Sequence, residues 1–283
     1  MANKYDVATL CDSFNSQAST YERRLGGSTR RVIEAILPLL SPLPNNPIIL
    51  DNACGPGFAA EEILSCISNA RVYAVDLAPG MIDLLRKLLS AKGWENRVET
   101  AMLDGVNLNA YTDENFDASI INFGIFFFSD AALGTREIYR TLKVAGKAAV
   151  TCWKEVPFLA ILHAVQAVIK PGSLPLSLPI LEEWTHRETL ERALLAGGFE
   201  EIEVREKEVM WRNKGVDEAA KGFADNFVNM VGDQWTEEEK ERILPVTEEV
   251  LKAPQGKQFI VESQGMIGCR MVAWIGIGIK TQI

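Results

Sequence analysis

The feature that most constrains the fold is PIILDNACGPGFAAEEIL, residues 47–64, followed by RVYAVDLAPGM, residues 71–81. A short apolar run, 48–50, ends in Asp51 and opens into a small glycine-containing turn, 52–57, which leads into a helix-like run. A second apolar run, 72–75, ends in the acidic Asp76. Strand, turn, helix and strand in that order form a crossover unit with a carboxylate at the tip of its second strand. Such a unit holds a nucleoside, because glycines let the backbone approach the ligand and the carboxylate accepts hydrogen bonds from ribose hydroxyls.

The glycine spacing leaves two ligands open. A dinucleotide site wants G-x-G-x-x-G, with a pyrophosphate on the helix N-terminus. The run from Ala53 to Ala60 offers Gly55 and Gly57, with Ala60 in the third place. Against that reading, Asp51 stands at the strand end, two residues before Ala53, where a carboxylate repels a pyrophosphate and suits a ligand carrying positive charge nearby.

From 48 to about 150 the chain alternates strand-like runs (48–50, 72–75, 98–103, 118–123, 148–153) with helix-like ones (61–67, 81–92, 131–142). Alternation of that kind implies parallel strands joined by crossovers, with ligand binding beyond the strands' carboxyl ends. Upstream, 5–24 reads as one or two amphipathic helices with Phe14 and Tyr21 at helical spacing, and 28–40 as another helix. Downstream, 158–169 is an apolar helix, 171–180 a Pro/Leu-rich loop and 184–195 a helix closed by Gly197 and Gly198. A late strand covers 199–209, and helices follow at 217–230 and 236–251, the second opened by a Thr236/Glu239 capping box. Residues 261–279 fit a closing strand region, with a helix beginning near Glu262 as the alternative.

A chain of 283 residues, 47% hydrophobic, can bury a full core. Its net charge of −9 argues against a nucleic-acid surface, which shows a basic stripe. No apolar run reaches the roughly 18–20 residues that cross a bilayer, and MANKYDVATLCDSF lacks the form of a signal peptide. Five cysteines without a CxxC pair or metal-ligand spacing imply a reducing, cytoplasmic setting and no metal site.

LDNACGPG is similar to the first motif of class I S-adenosylmethionine (SAM) methyltransferases, usually LD-x-G-C-G-x-G. VDLAPGM resembles their second motif, LDG at 103–105 their third, and the stretch 122–153 their fourth strand through their fifth. Ala53 departs from the pattern, which more often has glycine there. Within the superfamily the chain most resembles fungal small-molecule methyltransferases, including the gliotoxin thiomethyltransferase; DNACG, TCW before the long apolar helix, and WTEEE carry that likeness.

The resemblance implies a Rossmann-like doubly wound, mostly parallel α/β sheet with N-terminal helices and a late helical lid insertion. It divides a single domain, 1–283, into an N-terminal helical cap (1–45), a SAM-binding core (46–155), core completion (156–210), a helical lid insertion (211–254) and a closing strand region (255–283). It implies SAM as cofactor. Asp51 would position water or the cofactor's amino group, and Asn52, Ala53, Gly55 and Gly57 would form the turn that admits ribose and methionine. Asp76 would take the ribose hydroxyls, Leu77 and Met81 would flank adenine, and Asp104 with Gly105 would meet the exocyclic amine. Asn122 and Phe123 would face the methionine end and the methyl group. Tyr21, with Phe14, would belong to a helix covering the cofactor, and Trp153, with Phe158, would line the pocket.

The acceptor side is less defined. The run FGIFFF, 123–128, makes an apolar small-molecule pocket if two or more of its rings face inward. His163 and His186 are the only histidines, and neither sits in a triad; His163, on an apolar helix, is a packing residue or a pocket wall. The absence of an evident base favours a thiol, phenol or amine that ionises or is neutral on its own; the resemblance implies sulfur or oxygen ahead of nitrogen, in a fungal secondary metabolite. The principal alternative is a SAM-binding protein of the same fold that does not methylate, regulatory or catalysing a non-transfer step such as a pericyclic one. A nicotinamide-dependent oxidoreductase is the further alternative; Asp51 and the stretch 135–146 count against it.

Overall fold

The computed structural model describes residues 11, 12, 14, 15, 20–177 and 182–281. Eight strands form one sheet: β1 (Ile48–Asn52), β2 (Arg71–Asp76), β3 (Val98–Met102), β4 (Phe116–Asn122), β5 (Leu142–Glu155), β6 (Glu201–Lys214), β7 (Val261–Ser263) and β8 (Met266–Ile279). Their order is β3-β2-β1-β4-β5-β8-β6, with β7 paired to β8. The first five are parallel, and β8 runs antiparallel to both β5 and β6. β1 is short, apolar and buried along nearly all its length, as a strand covered on both faces must be.

The chain lays down β1, β2 and β3 in one direction, then returns to place β4 on the other side of β1. At that reversal the connections leave β1 and β4 in opposite directions, so a crevice opens beyond their carboxyl ends. The helices lining it start where the sequence supplies starts. α3 (Phe58–Cys66) follows Gly57; α4 (Pro79–Lys92) has proline in its first turn and Gly93 in the left-handed conformation after its end. α5 (Ala131–Thr141) is capped by Asp130, whose carboxylate accepts from the Ala132 and Leu133 amides at 2.8 and 3.2 Å.

Most of 5–24, where amphipathic helices are expected, lies outside the described residues; within it, α1 covers Tyr21–Leu25. α2 (Ser28–Ile36) tightens into a 3-10 turn, Leu37–Leu40, at Pro38. α6 is Phe158–Ile169, as the apolar run predicts. The helix expected at 184–195 is interrupted: a 3-10 turn, Glu182–Thr185, is followed by an extended His186 and then by α7 (Arg187–Gly197). Trp184 is buried there, and the Thr185 carbonyl accepts from the Trp274 indole at 2.8 Å.

The late strand runs beyond 209 to Lys214, paired with β8 over its whole length. The helices after it are α8 (Gly215–Val231), α9 (Glu237–Glu241), α10 (Ile243–Lys252) and α11 (Pro254–Lys257), the first beginning two residues before the expected 217. One helix over 236–251 is impossible because Pro245 cannot donate to Glu241 and its ring crowds that carbonyl, so the chain divides at Arg242. Residues 261–279 form no helix: Gln264 and Gly265, both at positive φ, turn β7 into β8. Among the described residues no helix is long and apolar enough to cross a membrane.

Candidate active site

A solvent-open cleft of about 780 Å³ lies beyond the carboxyl ends of β1, β2 and β4. Its floor is the turn after β1. Ala53, Gly55 and Gly57 all have positive φ, 64°, 54° and 96°. The two glycines serve different purposes: a Cβ on Gly57 would collide with Leu85, whereas one on Gly55 would meet nothing within 4 Å. Gly57 therefore seats α3 against α4, while Gly55 presents bare backbone to the cleft.

Asp76 faces that backbone. One carboxylate oxygen accepts from the Gly55 amide at 2.8 Å and the other from the Ala78 amide at 2.9 Å. Each oxygen keeps a lone pair, which suits the vicinal diol of a ribose. Burial pushes the carboxyl above its ordinary range, and the backbone donors from Ala78, Gly55 and Leu77 oppose that rise. Leu77 is exposed at the cleft, Met81 is buried at its edge, and Asp104 lines it while accepting from the Val106 amide at 3.1 Å. Gly105 sits in contact so close that a Cβ would collide with Phe128 and come within 2.8 Å of Asn52 Oδ1.

Asp51, Asn52 and Gly57 lie beneath the cleft surface. Asp51 Oδ2 and Asn52 Oδ1 are buried without a hydrogen-bond partner, although Asn52 Nδ2 donates to the Gly105 carbonyl at 3.1 Å. Burial raises the Asp51 carboxyl to about 7; the nearby Asp76 adds to the rise and a hydrogen bond from the Ala60 backbone opposes it. Two orphaned acceptors under a bare glycine turn are a site for a cationic or donor-bearing ligand, and the positive charge and amino group of SAM fit it.

At the other side of the cleft, Thr151 organises the end of β4. Its hydroxyl donates to Asn122 Oδ1 at 3.0 Å and accepts from the Phe123 amide at 2.9 Å. Asn122 Nδ2 reaches the Thr29 carbonyl at 3.4 Å. Phe123 is held in the left-handed region, φ 58°, a conformation that costs a bulky residue energy and that this amide contact helps to fix. Its ring stacks on Trp153 at 4.1 Å. Trp153 thus packs behind the wall and does not line the cleft. His163 lies elsewhere, its Nε2 2.7 Å from the Leu176 carbonyl oxygen. Phe158 faces Phe223 at 6.1 Å between centroids.

Of the 123–128 aromatics, Phe123, Phe127 and Phe128 line the cleft, while Phe126 turns away toward Trp184. Phe14 and Phe127 meet edge to face at 5.1 Å. Asn15 accepts from the Gly80 amide at 2.8 Å, which ties this N-terminal cover to the start of α4. Tyr21 opens onto the cleft on one side only. Burial pushes its hydroxyl up to about 12, with the Arg24 cation opposing and Asp76 adding, so it is a hydrogen-bond donor at neutral pH. Cys11, Ala78, Gly124 and Ser129 also line the cleft without having been singled out from sequence. None of the four carries a sequence signal: a Cβ on Gly124 would approach the Ala53 Cβ at 2.6 Å, but that contact joins positions 71 residues apart and no local pattern displays it.

A methyltransferase-domain family matches residues 49–146. The chain is 30% identical over 168 residues to a demethylmenaquinone methyltransferase of Corynebacterium urealyticum, covering 54% of this chain and 68% of that one. It is 27% identical over 220 residues to methyltransferase ucsB of an Acremonium species, covering 72% and 74%. Among solved structures, Haemonchus contortus phosphoethanolamine N-methyltransferase 2, bound to phosphomonomethylethanolamine and S-adenosylhomocysteine, shares the fold with a TM-score of 0.57. The two are 17% identical, and the match covers 95% of this chain and 58% of that one.

Proposed function

The chain belongs to the SAM-dependent methyltransferases, and from that premise we propose that it methylates sulfur or oxygen, and less readily nitrogen, in a small, fairly apolar metabolite. The observation that carries this reading is the composition of the acceptor side. Phe14, Phe123, Phe127 and Phe128 line it, and among the described residues the cleft lining holds no Lys, Arg or His. An acidic, aromatic cleft without a cation disfavours carboxylated or phosphorylated acceptors. It also lacks an obvious base, which suits a thiol or phenol that ionises unaided. The fungal relative supports a setting in fungal secondary metabolism, which the likeness to the gliotoxin thiomethyltransferase also implies, and the cysteine pattern supports a reducing, cytoplasmic location.

When bound, SAM supplies a methyl group already activated on a sulfonium. The chain's own part is to hold and orient. Asp76 accepts from the ribose hydroxyls; Leu77 and Met81 flank the adenine; Asp104 and Gly105 meet its amine. Asp51 and Asn52 take the donors of the amino-acid end through their unpartnered oxygens, directly or through water. Asn122 and Phe123, fixed by Thr151, hold the acceptor against the methionine end, and the aromatic cover keeps water from the reacting atoms. Tyr21, protonated, donates a hydrogen bond and does not withdraw a proton.

The experiment is to incubate the protein with SAM and a panel of aryl thiols, phenols and amines, and to follow S-adenosylhomocysteine. Thiol or phenol turnover, with carboxylated analogues slower, is the expected result. SAM binding without product from any acceptor would favour the non-methylating alternative.

A further inference from the structure

Tyr21 lines the cleft and its ring meets Phe58 of α3 at 6.1 Å between centroids, yet the carbonyl end of the helix that carries it is bonded from outside the nucleotide-binding unit. α1 is five residues long, and a helix that short has no stability of its own; at its end the Gly26 amide donates to the Glu22 and Arg23 carbonyls and the Ser28 hydroxyl to that of Leu25, and the other ties of these carbonyls run outside the helix. Its place is set by whatever those carbonyls bond. The Arg24 carbonyl accepts from the Trp211 indole at 2.6 Å and from Asn226 Nδ2 at 2.8 Å. The Arg23 carbonyl accepts from Asn213 Nδ2 at 3.2 Å, and Arg23 pairs with Asp225 at 2.6 Å. The Gly26 carbonyl accepts from the Arg212 amide at 3.1 Å and from Arg31 at 2.9 Å.

Apart from Arg31, every one of these outside partners belongs to the end of β6 or to α8. The approach is close because side chains are absent: a Cβ on Gly222 would lie 2.8 Å from the Trp211 ring and 3.1 Å from the Arg23 carbonyl, and one on Gly26 would lie 2.8 Å from the same ring. Asn226 is one link between the two helices, beside the Arg23–Asp225 ion pair. Its amide nitrogen donates to Gly222 of its own helix at 3.0 Å and to Arg24 of the other. One turn earlier on α1, Tyr21 reaches the cleft, with the Arg24 guanidinium 5.7 Å from its ring centroid.

We propose that Asn226 is a positioning residue of the methyl-transfer site: from outside the cleft it fixes the Arg24 carbonyl, and through α1 the place of Tyr21 beside the cofactor. This rests on the SAM-binding reading of the cleft. Asn226 touches neither cofactor nor acceptor, so its removal changes how well the cofactor is held and leaves the reacting groups in place.

The test is titration with SAM and S-adenosylhomocysteine, with steady-state kinetics, on the wild type, Asn226→Leu, Tyr21→Ala and the double variant. Losing the link raises the SAM Kd and KM about fivefold to tenfold, as one or two hydrogen bonds warrant, with kcat within about twofold. In the Tyr21→Ala background the same substitution adds less than about twofold, because coupled residues are not additive. A second variant, Asn226→Ser, keeps a donor for its own helix but cannot reach α1, and gives the same rise. An unchanged Kd in both single variants overturns the proposal, as does a full additional loss in the double variant. If neither position-226 variant folds, the residue is structural and the proposal falls. Wild-type protein silent to SAM would overturn the reading of the cleft itself; wild-type binding with equal binding by the variants overturns the Asn226 role alone.

Discussion

The cofactor half of the cleft and its acceptor half are built from different material. The cofactor half is continuous backbone from β1 to the loop after β3, and its polar groups are tied by local amides: Asp76 to Gly55 and Ala78, Asp104 to Val106. The acceptor half is aromatic and gathered from afar. Phe123 stands on Trp153 and takes its register from Thr151, and Phe14 meets Phe127. A nucleoside is recognised by short-range geometry that a strand, a turn and an acid can supply. An apolar acceptor is recognised by the shape that distant side chains enclose. Substitutions in one half should therefore leave the other half's ligand nearly untouched; Asp76→Ala and Phe127→Ala test that separation, and Asp51 and Ala53 test the build of the cofactor half.

The largest expected effect is on stability. Asp51 has a folded-state pKa of about 7, against an ordinary value near 4. Its folded carboxyl binds more protons than the unfolded one between those values, so ligand-free stability falls as pH rises through that window and is level above it. Allowing for the coupling with Asp76, the loss is about 2 kcal/mol between pH 4 and 8. The difference between the urea melts of the wild type and Asp51→Asn should follow that slope from pH 4 to 8; a difference that does not change with pH would mean Asp51 is solvated in the ligand-free protein.

Next, Asp76→Ala should raise the SAM dissociation constant at least tenfold, about 1.4 kcal/mol, with the acceptor KM changed less than about twofold. An unchanged SAM affinity contradicts the ribose assignment, and an equal loss for the acceptor contradicts the division of the cleft. The reciprocal change is Phe127→Ala, expected to raise the acceptor KM about fivefold while SAM affinity stays within about twofold. The smallest effect is at Ala53, whose φ of 64° suits glycine. Ala53→Gly relieves about 1 kcal/mol of backbone strain and loses part of it to unfolded-state entropy, for a net gain of about 0.5 kcal/mol in a urea melt.

The same division explains what could be read from the sequence. Strand alternation, the glycine turn and the acids at 51, 76 and 104 are local patterns, and the sheet they imply is present with its strand order reversing beside β1. The limits of that reading are non-local. Pro245 is the exception: the division at Arg242 follows from a local rule, the proline ring against the carbonyl four residues back, which a single helix over 236–251 passes over. The extension of β6 to Lys214 follows from pairing with Met266 across the intervening helices. Trp153 at the end of an apolar strand reads equally as wall or as backing, and only its stacking on Phe123 decides. The tie between Asn226 and Arg24 spans 202 residues and has no signature in either segment.

The central claim is that the bare turn at Gly55, with Asp76 above it and Asp51 below it, holds SAM. Calorimetric titration of the purified protein with SAM, S-adenosylhomocysteine and NADH tests it most directly. The account predicts micromolar binding of the first two and silence from NADH. Silence from both sulfur ligands, or tight binding of NADH, would contradict it.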